Sequence, residues 1–140
     1  MVKTINMQDM RYLNLFGKIT KVNTHFCFKY NNTLMFGVPR PLVTKSLGQE
    51  GRNIRKVNHI LGKRVKVIAL PSGSGEKEIK IFIQNIVSPV TFRDLEIKDG
   101  EVVLTAGSRN KAALIGRNKR RLHEMQKIVK DYFGKEFRVI

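Results

Sequence analysis

Apolar positions along this chain keep two rhythms, one helical and one of strict alternation, and the order of rhythms recurs. In residues 7–17, Met10, Leu13 and Phe16 fall at spacing three, which predicts a helix with those side chains on one side. "HFCFKY" (residues 25–30) alternates, so Phe26, Phe28 and Tyr30 are expected to face the core, and His25, Cys27 and Lys29 the other way. Asn31-Asn32 predicts a hairpin turn, because asparagine tolerates positive φ, and Thr33–Val38 is the return strand. Residues 41–47 suit a short helix ended by Gly48. Arg52–Leu61 suits a longer one with Ile54, Val57 and Leu61 as its buried stripe. Gly62 stops it, and residues 64–70 read as a strand with Val65 and Val67 on one face.

After the linker-like "PSGSG" (residues 71–75) the pattern restarts. Residues 77–87 suit a helix, with Ile79, Phe82, Ile83 and Ile86 at helical spacing. Residues 90–97 and Glu101–Thr105 suit a hairpin over Asp99-Gly100. Residues 111–115 and 119–133 suit two helices, and residues 136–140 a last strand.

The two halves also match position by position. With Gly48 placed over Gly116, an offset of 68, Leu34, Phe36, Val38 and Leu47 meet Val102, Leu104, Ala106 and Ile115. Downstream, Ile54, Val57 and Ile60 meet Leu122, Met125 and Ile128. A four-residue insertion then brings "GKRVKVI" onto "GKEFRVI" at an offset of 72. Matched apolar spacing with basic residues around it argues for an internal repeat rather than chance similarity. The expected fold class is α+β, two units of order α-β-β-α-α-β at residues 1–70 and 76–140, joined by residues 71–75. A unit of this size buries only about 60% of its unfolded surface and is marginal alone, so the two are expected to pack together.

Charge narrows the range of partners. The 140 residues hold 27 Lys+Arg against 11 Asp+Glu, a formal charge of +16. Residues 40–68 carry eight cations against Glu50, and residues 109–138 carry ten against three carboxylates. Two segments thus hold +14 of the +16, where a surface serving only solubility would mix its signs. Such an excess calls for an anionic partner, nucleic acid first. No apolar run approaches the roughly 20 residues of a spanning helix. "MVKTINMQDMRYLNLF" lacks the apolar core of a signal peptide. A single cysteine, Cys27, rules out a disulfide framework or a multi-cysteine zinc site. A soluble cytoplasmic protein is expected.

Both basic segments surround a glycine-bearing loop between two helices. In the first, "GQEG" (Gly48, Gln49, Glu50, Gly51) precedes Arg52, Asn53, Arg55 and Lys56. Glycine permits positive φ and close approach, and the helix that follows offers N–H groups and a favourable dipole to an anion. Arg55, His59 and Lys63 extend a basic stripe along that helix. A bare GxxG is weak, since such pairs also serve as elbows between helices. Duplication and charge concentration favour a phosphate grip.

"LGQEGRNIRKVNHILGKRVKVI" resembles the second half of a type II KH domain, and "NKAALIGRNKRRLHEMQKIVKDYFGKEFRVI" resembles another. From about residue 7 to residue 140 the chain resembles the short archaeal NusA-like transcription factors, which are two tandem type II KH domains. The resemblance implies binding of single-stranded RNA in transcription elongation, termination or antitermination. Each loop would grip about four nucleotides. The implied RNA-binding residues are Gly48, Gln49, Glu50, Gly51, Arg52, Asn53, Arg55 and Lys56, with Gly116, Arg117, Asn118, Lys119, Arg120 and Arg121. The groove walls would be Ile54 with Val65–Val67, and Leu122 with Phe137–Val139.

The second loop departs from the motif. Lys119 stands in place of the closing glycine, which opens the question whether its backbone keeps the glycine path. Glu50 in the first loop would repel a phosphate if turned inward. RNA polymerase or its transcription complex is a further partner in the family. Direct polymerase contact is not carried over, because this length supplies neither the polymerase-binding domain nor the S1 domain of bacterial NusA. No membrane partner is expected, and the chain is expected to be a monomer.

His25, His59 and His123 sit on separate elements, and the carboxylates form no paired signature, so no catalytic constellation, metal or cofactor site is expected. Cys27 reads as a packed structural thiol. Phe26, Phe28 and Tyr30 read as core rather than as base-stacking platforms. The alternatives to a transcription factor are a KH-type ribosomal or ribosome-assembly RNA-binding protein and a scaffold whose basic faces meet an acidic protein.

Overall fold

A computed structural model describes residues 6–73 and 75–140. Residues 1–5, at the start of the segment read for a leader, and Ser74 of the linker-like run lie outside the described residues. The chain divides into two compact units between Leu70 and Pro71. Both are α+β with the order α-β-β-α-α-β.

The first unit holds α1 (Met7–Thr20), β1 (Phe26–Tyr30), β2 (Thr33–Val38), α2 (Val43–Leu47), α3 (Arg52–Leu61) and β3 (Arg64–Ala69). A 3₁₀ turn at Arg40–Leu42 precedes α2. Asn6 starts α1 by accepting a hydrogen bond from the Asp9 amide at 2.8 Å. The helix runs past Gly17 to Thr20, and Lys21 closes it in the left-handed region, φ 62°. β2 is central, antiparallel to β1 and parallel to β3. Asn31 and Asn32 both take positive φ, 52° and 58°, the paired left-handed turn that a two-residue hairpin prefers.

The core of this unit corrects two sequence expectations. α1 buries Tyr12, Phe16 and Thr20, spaced by four, while Met10 is 54% exposed. Phe16 stacks on Phe36 of β2 with ring centroids 4.3 Å apart, and this contact sets which side of the helix faces the sheet. On β1 the residue that joins the helix-side core is Cys27, paired across from Phe36. Phe28 and Tyr30 are buried as well, but on the opposite sheet face, where Phe28 pairs with Met35 and Tyr30 with Thr33. Both faces of the strand thus carry buried residues, so its alternation did not separate core from solvent. On α3, Val57 is buried and Ile54 and Leu61 pack against the same core, with Val65 and Val67 of β3.

The second unit repeats the plan with α4 (Glu76–Val87), β4 (Asp94–Lys98), β5 (Glu101–Thr105), α5 (Ser108–Ile115), α6 (Arg120–Phe133) and β6 (Glu136–Val139). β5 is central, antiparallel to β4 and parallel to β6. The stripe Ile79, Phe82, Ile83 and Ile86 is buried as its spacing predicted. β4 begins at Asp94 rather than at residue 90, because Asp94 already pairs with Thr105, the last residue of β5. The four-residue insertion lengthens the last helix, 14 residues in α6 against 10 in α3. Ile128 is buried while its aligned Ile60 is 51% exposed.

Candidate nucleic-acid interface

Each loop is one short 3₁₀ turn between two helices, Gln49–Gly51 in the first unit and Arg117–Lys119 in the second. Their backbones agree residue by residue. Gly48 has φ 76°, ψ 174° and Gly116 φ 76°, ψ 173°. Glu50 has φ 54°, ψ 30° and Asn118 φ 56°, ψ 28°. Gly51 has φ 72°, ψ 19° and Lys119 φ 59°, ψ 25°. The Gly51 amide donates to the Gly48 carbonyl at 3.1 Å, and the Lys119 amide to the Gly116 carbonyl at 3.2 Å. The lysine in place of the closing glycine therefore keeps the glycine path.

The physical reason lies in how differently the two glycine positions are constrained. The first combines positive φ with an extended ψ, a region essentially reserved for glycine. A Cβ there would also collide: on Gly48 it would lie 2.8 Å from Asn53 Cγ, and on Gly116 2.9 Å from Arg121 Cγ. The closing position is left-handed, which a side chain enters at a cost of about 1 kcal/mol. A Cβ on Gly51 would meet nothing nearer than 3.9 Å. The second loop spends that tolerance on a cation.

Asn53 and Arg121, equivalent under the offset of 68, brace the loops from behind. Asn53 Nδ2 donates to the Lys45 carbonyl at 3.3 Å, and an Arg121 guanidinium N–H to the Ala113 carbonyl at 3.0 Å. Each ties the second residue of the later helix to the last turn of the earlier one, satisfying a carbonyl left open at a helix end. Sequence reading gave both residues an RNA-facing role only. The alignment of the copies held the signal for this bracing, since both positions lie eight residues beyond the carbonyl they hold.

The remaining loop side chains, Gln49, Glu50, Arg52, Arg117, Asn118, Lys119 and Arg120, are exposed, as are Arg55 and Lys56. Neither α3 nor α6 has a side-chain N-cap or an acidic residue in its first turn. By contrast α1 has both, and α4 carries Glu76 and Glu78. Apart from the exposed Glu50 of the first loop, the positive helix ends behind the loops are thus left without a protein anion, the condition under which an external anion is favoured there.

Ion pairing sharpens this polarity. Within the second unit Lys80–Asp94, Lys98–Glu96, Lys127–Asp131, Lys130–Glu136 and Arg138–Glu101 form ion pairs. None involves Arg117, Lys119, Arg120 or Arg121. In residues 1–70 the only carboxylates are Asp9 and Glu50, against thirteen Lys+Arg. The expected groove residues sit beside the loops in sequence but are mostly packed inward: Phe137 and Val139 are buried, while Ile54, Val65, Val67 and Leu122 are half-buried. Lys66, between Val65 and Val67, is half-buried, and burial pushes its ammonium below the ordinary lysine range. Among the described residues no group of three or more His, Cys, Asp and Glu gathers to hold a metal ion. No helix among them is long and apolar enough to cross a membrane.

No protein-family model matches the sequence. The chain is 25% identical over 116 residues to a probable transcription termination protein NusA of Methanococcus vannielii, an alignment covering 80% of this chain and 64% of that protein. It thus spans less than two thirds of the curated relative it matches. It is also similar to the crystal structure of APE1850, with a TM-score of 0.68 and 25% identity over 97% of this chain and 99% of that one.

Proposed function

We propose that this chain is a NusA-like factor that binds single-stranded RNA during transcription elongation or termination, through two tandem type II KH domains whose loops each clamp the RNA backbone. It acts as a binding module rather than an enzyme, with RNA and the transcription complex as its partners in the cytoplasm. The observation that carries the reading is the conserved path of the two loops. The chain keeps one backbone shape twice, once with Gly51 and once with a strained lysine, and places unpaired cations around both. A fold needing only an elbow has no use for that strain at a site of concentrated like charge. The name borne by the Methanococcus vannielii relative supports transcription as the process.

The division of labour follows from composition. The first loop, with Gln49 and Glu50 at its tip, grips mainly through backbone shape. The second, with Arg117, Lys119 and Arg120, adds side-chain charge. Crosslinking the protein in cells and sequencing the bound RNA tests the assignment to transcription. Recovery of nascent transcripts, with cofractionation of polymerase, is the expected result. Recovery of mature ribosomal RNA with ribosomal subunits would instead select the ribosomal alternative.

A further inference from the structure

At the far end of α3 from its loop lies a concave surface that the glycine-loop reading does not use. The β1–β2 hairpin and the turn from α3 into β3 enclose it, and Lys29, Asn32, Lys63 and Arg64 line it over Thr33 and Leu34. Lys29, Lys63 and Arg64 are exposed, and none makes an ion pair among the described residues. No carboxylate lines the hollow.

The second unit supplies an internal control. Thr33 pairs with Arg64 in the parallel ladder of the first unit, and the equivalent pair in the second is Glu101 with Glu136. Lys29 corresponds to Ile97, and the hairpin turn carries Asp99 in place of Asn31. There the two glutamates are neutralised by Arg138 at 3.2 Å and Lys130 at 3.0 Å. Lys63 keeps a cation at its equivalent, Lys135, but Lys29 and Arg64 do not, so the same fold does not require those two cations.

We infer that this hollow is a second anion site of the first unit, and that it holds a phosphodiester of the RNA strand that leaves the first glycine loop; the inference rests on the RNA-binding reading above. α3 has ten residues and so spans about 15 Å. Along it Arg52, Arg55, Lys56, His59 and Lys63 are exposed, giving the strand a basic track between the loop and the hollow.

The test is the affinity of the full chain for a single-stranded RNA of about twelve nucleotides, long enough to pass beyond the roughly four held by one loop. Lys29→Gln, Lys63→Gln and Arg64→Gln are combined in one variant. Lys80→Gln, Lys98→Gln and Lys127→Gln, at ion-paired exposed lysines, make a control of equal charge change. The hollow variant is expected to bind about ten-fold more weakly than the control, with a salt slope shallower by roughly 1 to 2. Arg64→Gln alone, outside the α3 stripe, should weaken binding by about two- to three-fold, which decides the matter if the triple variant unfolds. Equal affinity of the hollow and control variants, with Gln49→Asp still weakening binding, would overturn this inference and leave the loop reading standing. A wild-type chain that binds no single-stranded RNA would overturn both.

Discussion

Lys119 holds the left-handed backbone conformation of Gly51, and each donates its amide to the carbonyl of the glycine that opens its loop, at 3.2 and 3.1 Å. The relationship makes the second loop a charged copy of the first on an unchanged frame. Strain and charge can therefore be separated by substitution. Lys119→Gly should stabilise the second unit by about 1 kcal/mol, since glycine enters this region freely. It should also weaken RNA binding several-fold by removing a cation at the grip. Urea unfolding and anisotropy titration read the two effects, and a loss of stability would mean that the lysine side chain carries packing the account does not assign it.

The opening glycines should be far less replaceable. Gly48→Ala and Gly116→Ala each place a Cβ within 3 Å of a neighbouring side chain in a glycine-only region. A cost of about 2–3 kcal/mol is expected, against about 1 kcal/mol for Gly51→Ala. Unfolding free energies of the three variants should rank in that order; equal costs at Gly48 and Gly51 would refute the distinction.

Arg121 should behave unlike the cations beside it. Its guanidinium bridges to the Ala113 carbonyl, whereas Arg117 and Arg120 are exposed. Arg121→Met is expected to cost about 1 kcal/mol of stability, while Arg117→Met and Arg120→Met should leave stability nearly unchanged and weaken RNA binding. Parallel melts and RNA titrations of the three check this, and a stable Arg121→Met chain would show that the bridge does not brace the loop.

Glu50 has no ion-pair partner among the described residues and stands exposed in a loop surrounded by cations. Glu50→Lys replaces repulsion with attraction for a phosphate while keeping the same left-handed tolerance that Lys119 displays. Affinity for single-stranded RNA should rise several-fold at low salt, with the gain shrinking as salt is added. No gain at low salt would place the carboxylate away from the RNA path.

The apolar periodicity carried most of the architecture. The order of elements and the buried stripe Ile79, Phe82, Ile83 and Ile86 could be read from it, while both hairpin turns were read from Asn31-Asn32 and Asp99-Gly100. It failed at Met10 and on β1, because spacing does not say which side of a helix meets a stacked ring such as Phe36, nor that a strand buries residues on both faces. The glycine motif located the loops, but sequence could not show which glycine the geometry needs. That depends on ψ at Gly48 and on where Asn53 and Arg121 lie. The hollow at Lys29, Lys63 and Arg64 was hidden for another reason: register, not proximity in sequence, brings its residues together.

The most direct test of the central claim is the salt dependence of single-stranded RNA binding by the full chain, beside a variant carrying Gln49→Asp and Asn118→Asp. Both positions are exposed, and aspartate tolerates the left-handed backbone of Asn118, so the variant should fold. If the loops neutralise four to six phosphates, log K of the wild type should fall with log salt at a slope of roughly −3 to −4. The variant should then bind at least about ten-fold more weakly with a shallower slope. A wild-type slope near zero, or a folded variant that binds as tightly as the wild type, would contradict the claim that these two loops hold the RNA backbone.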